Sequence, residues 1–229
     1  GALMMEYNQK VQNCDMIGYL HGYRGLLVGK SIEITKDVQE KADLLLSFGG
    51  SPIGNSRVKL TNVEDCIKRG FVKEGEDPLQ VAAKQLMEDG VSILHTIGGD
   101  DTNIMAASLV GIFQEMGAEL TVVGLPKTVD NDVYPIVQTL GAATAAEQGA
   151  VFFENIANEN TTSHRQLIIH EVMGRHCGWL TAATAHAYRE RLKQKTFLPE
   201  ILISEDRWDL DAVYVPETEL DFPAECDRL

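Results

Sequence analysis

The sequence predicts an α/β protein, a doubly wound and mostly parallel sheet with helices on both faces. Three observations carry that prediction. Short apolar runs of strand length alternate with longer stretches of helical periodicity. Glycines stand where the helical patterns stop, at Gly90 and Gly117. The 229-residue chain is 44% hydrophobic and 24% charged, a balance that supports a folded core and excludes a disordered or fibrous chain.

The elements follow in order. Residues 1–13 read as the back half of a helix whose supporting strand is absent. Met16–Tyr19 reads as a short strand. Asp77 is a helix N-cap and Pro78 fits the first turn. That helix runs to about Asp89, with Leu79, Ala82, Ala83 and Leu86 on one face. Val91–Ile97 is then a buried strand, Thr102–Met116 a helix, and Leu120–Leu125 the next strand. An alanine-rich helix is expected from Thr139 to about Asn158. Gln166–Val172 is a predicted strand, Gly178 to about Lys193 a helix, and Ala212–Val215 a last short strand. The end, AECDRL, reads as the first turn of a helix that stops at once. Both ends are therefore expected to be cut from something longer.

Charge narrows the function. Lys plus Arg is 20 and Asp plus Glu is 34, a net −14, which argues against a general binder of nucleic acid or membrane surfaces. Residues 199–229 carry ten acids against two bases, which reads as a solvated acidic face or an interaction tail. No run of about 18 apolar residues is present, so no membrane span is expected. Cys14, Cys66, Cys177 and Cys226 are scattered, without a CxxC or a zinc spacing, which suits reduced thiols and a cytoplasmic location.

Three loops fall where an open parallel sheet binds ligands, between strand ends and helix starts. The first is Gly98-Gly99-Asp100-Asp101-Thr102-Asn103. Paired glycines let backbone approach a ligand, and the following helix start suits phosphate. Acidic side chains beside a phosphate need a cation between them, so Asp100 is a candidate for Mg2+. Spacing alone equally allows an aspartate N-cap. The second loop is Pro126-Lys127-Thr128-Val129-Asp130-Asn131-Asp132. In extended backbone, residues 130 and 132 project to one side about 7 Å apart. One carboxylate can take a proton from a hydroxyl while the other orients it, and Lys127 can follow a transferring phosphoryl group. A plain polar turn is the alternative. The third is Met173-Gly174-Arg175-His176-Cys177-Gly178, where Arg175 can grip an oxyanion or pair with an acidic neighbour. His176 reads as structural or solvent-facing. Glu217 can bind sugar hydroxyls or cap a helix. Gly49–Arg57 is a flexible loop that either lies on the surface or brings Arg57 to a phosphate donor.

These segments together resemble the phosphofructokinase family. GGDD at 98–101, PKTVDND at 126–132, EVMGRHCG at 171–178 and VPE at 215–217 occur in the family's order and spacing. GYLHGYRGLL at 18–27 and GGSPIGNSR at 49–57 add to the match, which spans nearly the whole chain. ATP-using members typically carry GGDG and PGT; here Asp101 and Lys127 replace those glycines, which resembles the pyrophosphate-dependent members. Bulk and negative charge at position 101 oppose the α-phosphate of a nucleotide.

The resemblance implies a magnesium-dependent phosphoryl transfer from inorganic pyrophosphate to the 1-hydroxyl of fructose 6-phosphate. It implies Asp130 as proton acceptor, with Lys127, Asp101 and Arg175 also catalytic. Thr128, Val129, Asp132, Met173, Gly174, Arg175 and Glu217 are the implied sugar-phosphate residues. Gly98, Gly99, Asp101 and Arg57 are the implied donor-phosphate residues, and Asp100 the implied metal carboxylate. It further implies a cytoplasmic homo-oligomer, a dimer or tetramer. The domain reading is a phosphoryl-donor domain plus part of the sugar-phosphate domain over residues 1–229, lacking the family's first strand and C-terminal part. An ATP-dependent enzyme and a non-catalytic regulatory subunit are the alternatives. The expected sign of the latter is loss of Asp130, Asp132 or Arg175, and none of them is lost here. His164-Arg165-Gln166 sits one position off the family's cross-subunit arginine, so that role is not assigned.

Overall fold

The computed structural model of the protein describes residues 1–11, 14–162 and 166–229. The chain forms two compact units. One comprises Gly1–Thr96 with Asp101–Gly124, the other Ile97–Asp100 with Leu125–Leu229.

The first unit opens with helix α1 (Ala2–Lys10), whose Tyr7 hydroxyl meets His95 Nε2 at 2.8 Å. Strand β1 (Ile17–Tyr19), helix α2 (Tyr23–Leu27) and strand β2 (Ser31–Glu33) follow. β1 and β2 pair antiparallel, Ile17 opposite Glu33 and Tyr19 opposite Ser31. Only β1 was legible in the sequence, because α2 and β2 are too short to show a period. α3 (Lys36–Glu40) and α4 (Val63–Lys68) are capped by Thr35 and Asn62 side chains. In α5 (Pro78–Glu88) the Asp77 carboxylate accepts the Leu79 N–H, and Gly90 leaves the helix at φ +67. Both ends are as the capping residues predict. Ala82, Ala83 and Leu86 of α5 are buried in the core with Leu26, Leu60, Leu109 and Phe113. Phe113→Ala would cost about 3–5 kcal/mol there.

β3 (Ile93–Gly98), α6 (Asp100–Glu115) and β4 (Thr121–Pro126) form a strand–helix–strand unit. The strands pair with each other, and the bonds Thr121 N–H to Ser92 O and Lys127 N–H to Gly98 O advance in the same direction. The pair is therefore parallel. α6 begins at Asp100, two residues earlier than the sequence suggests. Gly98 ends the strand, and the expected 98–103 loop shrinks to Gly99. Asp100 and Asp101 occupy the first helical turn, where acidic side chains suit the positive end of the helix dipole.

The second unit contains α7 (Ala142–Asn160), α8 (Trp179–Leu192) and α9 (Phe222–Arg228). α7 and α8 pack closely: a Cβ on Gly149 would lie 2.9 Å from Thr184 Oγ1. Ala150, Ala157, Tyr188 and Leu192 are buried between them, and the Tyr188 hydroxyl donates to the Trp208 carbonyl. Glu154 of α7 receives Arg191 of α8 at 2.7 Å and Lys195 at 2.5 Å.

Two expected strands are not formed. Gln166–Val172 and Ala212–Val215 run without a sheet ladder among the described residues. An apolar run becomes a strand only where a partner edge supplies hydrogen bonds. Here Leu167 and Ile169 are 72% and 84% exposed. The parallel sheet is thus two-stranded among the described residues.

Candidate functional site

In the second unit, the loop after β4 turns sharply. Lys127 is exposed, and its N–H donates to Gly98 O at 2.8 Å, which ties the PKT segment to the end of β3. The Thr128 hydroxyl oxygen accepts the Asp130 N–H at 3.1 Å. Thr128, Val129 and Asp130 are half-buried, and Asp132 is exposed. Asn131 adopts φ +56. The extended spacing expected for residues 130 and 132 therefore does not hold, because a left-handed residue separates them. Asn131 is a residue type that tolerates that conformation, and its place in DND was the readable signal.

The loop is closed by a residue that spacing did not single out. Thr139 is 1% exposed. Its hydroxyl lies 2.7 Å from Thr128 O and 3.1 Å from Asn131 Oδ1, and its N–H donates to Asn131 Oδ1 at 2.8 Å. α7 starts at Ala142 rather than at the expected 139, directly after the left-handed Gly141 at φ +97.

The MGR loop reaches the same segment. The Cys177 thiol donates to Asp130 O at 3.2 Å. Gly174 sits at φ +132, and a Cβ there would be 2.2 Å from Cys177 O and 3.9 Å from Asp130 Oδ1. Glycine is required at this approach. Met173, Arg175 and His176 are exposed. The Gly178 N–H donates to Glu217 Oε1 at 2.7 Å, which sets Glu217 at the start of α8. Capping is thus a contact Glu217 makes here, and its Oε2 lies 2.6 Å from where a Cβ on Gly178 would stand.

The unit brings Gly98, Lys127, Thr128, Asp130, Gly174 and Cys177 into one connected set, with Gly178 and Glu217 at its α8 end. Among the described residues Lys127, Asp130, Asp132 and Arg175 take part in no ion pair. Their charges are not spent on structural partners. The expected alternative of an acidic partner for Arg175 is thus not the arrangement found.

In the first unit, Asp101 pairs with Lys59 at 2.6 Å, a partner that spacing did not suggest. Arg57 is exposed two residues earlier. Asn103 Oδ1 lies 3.3 Å from Thr96 Oγ1 and would be 2.5 Å from a Cβ on Gly124, so β3, α6 and β4 close tightly there. No group of three or more His, Cys, Asp or Glu side chains could hold a metal among the described residues. Asp100 is exposed in the first turn of α6. One carboxylate suits Mg2+, which keeps several waters and binds largely through substrate phosphates. All four cysteines are free thiols. Among the described residues no helix is long and apolar enough to cross a membrane.

The strand–helix–strand unit and the loops beyond it are of the α/β class, and the sequence settles the family. The phosphofructokinase profile matches residues 3–220, and the chain belongs to that family. It is 57% identical over 229 residues to the pyrophosphate–fructose 6-phosphate 1-phosphotransferase of Methylomonas methanica, covering 100% of this chain and 56% of the relative. It is 52% identical over 227 residues to the protein of the same name from Propionibacterium freudenreichii, covering 99% and 56%. The chain thus spans about half the length of the curated relatives it matches. The crystal structure of pyrophosphate-dependent phosphofructokinase from Marinobacter aquaeolei shares the fold. It gives a TM-score of 0.65 at 21% identity, over 81% of this chain and 45% of that one.

Proposed function

We propose that the protein serves a reversible, magnesium-dependent transfer of a phosphoryl group from inorganic pyrophosphate to the 1-hydroxyl of fructose 6-phosphate. The observation that carries this reading is 57% identity, over the whole chain, to a relative named for that reaction. Asp101 and Lys127, in the places of two glycines typical of ATP-using members, support the same donor.

The sugar 1-hydroxyl oxygen attacks the terminal phosphorus, the bridging P–O bond breaks, and inorganic phosphate leaves. Asp130 accepts the hydroxyl proton as the new bond forms. Thr128 and Asp132 flank the acceptor. Lys127 and Arg175 neutralise the charge that spreads over the transferring group. The Gly98-Gly99 backbone and Arg57 receive donor phosphate, and Asp101 fills the volume a nucleotide's α-phosphate requires. In the structure the exposed Asp101 carboxylate pairs with Lys59 at 2.6 Å. Met173, Gly174 and Glu217 bind the sugar phosphate with Val129. Asp100 would hold Mg2+, which supplies charge neutralisation on the pyrophosphate when bound. The same reading takes the enzyme to be cytoplasmic, as the free thiols favour, and a dimer or tetramer.

The test is Asp130→Ala in the protein at its full natural length. Turnover with pyrophosphate should fall by about two to four decades. Near-normal turnover would remove Asp130 from this role.

A further inference from the structure

Asp130 lies between two residues that one buried side chain holds. Thr128, two positions before it, offers its carbonyl to the Thr139 hydroxyl at 2.7 Å. Asn131, the residue after it, offers Oδ1 to the Thr139 N–H at 2.8 Å, and the hydroxyl stands 3.1 Å from that same oxygen. The far end of the Asn131 amide donates to Val137 O at 3.3 Å, closing the loop on itself. Thr139 is 1% exposed, so its own hydroxyl bonds are shielded from water. On the other side, the Cys177 thiol holds the Asp130 carbonyl.

We infer that Thr139 is a positioning residue for Asp130. Its hydroxyl sets the turn that aims the carboxylate at the sugar hydroxyl, while it touches no substrate itself. The inference rests on Asp130 being the proton acceptor. The Asp130 backbone has few other supports. Its N–H goes to the Thr128 side chain and its carbonyl to a thiol, a weak donor. The following residue is left-handed at φ +56, a conformation that the Asn131–Thr139 bonds stabilise. Loss of the hydroxyl frees the Thr128 carbonyl and lets the turn drift. A shift of about 1 Å in a reacting group can cost about a hundredfold in rate.

The experiment compares Thr139→Val, which removes the hydroxyl at constant shape, with Thr139→Ser, which keeps it. Asn131→Gly is the second probe, since glycine keeps the left-handed backbone and removes the other half of the clasp. Kinetics are measured per folded molecule in the full-length protein. Thr139→Val and Asn131→Gly should lower kcat about 10- to 100-fold with KM for fructose 6-phosphate within about threefold, and Thr139→Ser should restore kcat to within about threefold. Should Thr139→Val not fold, the Asn131→Gly and Thr139→Ser pair reads the same split. Normal kcat in Thr139→Val or Asn131→Gly, beside an inactive Asp130→Ala, would overturn the inference and leave the proposed reaction standing. A fully active Asp130→Ala would sink the reaction's base and this inference together.

Discussion

A Cβ placed on Gly174 would stand 3.9 Å from Asp130 Oδ1 and 2.2 Å from the Cys177 carbonyl oxygen. The MGR loop therefore approaches the proposed base through a position that holds no side chain. Gly174 also sits at φ +132, where a side chain is strained whatever the space. Gly174→Ala should displace the loop, lower kcat by about a hundredfold or more and lower the unfolding midpoint as well. Steady-state kinetics with a parallel denaturation curve check this. Unchanged kcat would mean the loop tolerates a Cβ without moving the Asp130 carboxylate.

Glu217 has two assignments that one series separates. Its contact with the Gly178 N–H caps the start of α8, and the proposed reaction also gives it a sugar hydroxyl. Glu217→Ala should raise KM for fructose 6-phosphate about tenfold if the sugar contact is real. Glu217→Gln keeps an oxygen acceptor and should raise it less. A capping role alone would lower the unfolding temperature of Glu217→Ala and leave KM unchanged.

Glu154 supplies a pH-dependent part of the second unit's stability. Lys195 and then Arg191, both hydrogen-bonded to it, hold its carboxyl below the ordinary value of 4.5. A depressed folded-state value means the contribution is complete above the unfolded-state value and fades as pH falls through the folded one. At neutral pH Glu154→Gln should cost about 1–3 kcal/mol in denaturant unfolding. That difference should shrink as pH drops below about 4.5. A difference independent of pH would assign the effect to packing of α7 on α8 instead.

The parts of this fold that can be read from the sequence are those written in local chemistry. Asp77-Pro78 and Gly90 mark α5 because a cap and a left-handed exit are single-residue properties. Gly117, at φ +71, ends α6 for the same reason. What spacing could not supply were partners. Gln166–Val172 has a strand's composition but no edge to pair with among the described residues. The pairing of Lys59 with Asp101 spans 42 positions, and Thr139 grips residues 8 and 11 positions away. The motif residues of the site were legible by resemblance. The supports Lys59 and Thr139, and the contact of the motif residue Cys177 with Asp130, emerged only when the chain was folded.

Donor choice tests the central claim most directly. In the full-length protein, kcat/KM is measured with pyrophosphate and with ATP, for the natural sequence and for Asp101→Gly with Lys127→Gly. The natural sequence should use pyrophosphate and reject ATP, and the double variant should gain ATP use at least about tenfold. Efficient ATP turnover by the natural sequence, with pyrophosphate inert, would contradict the account.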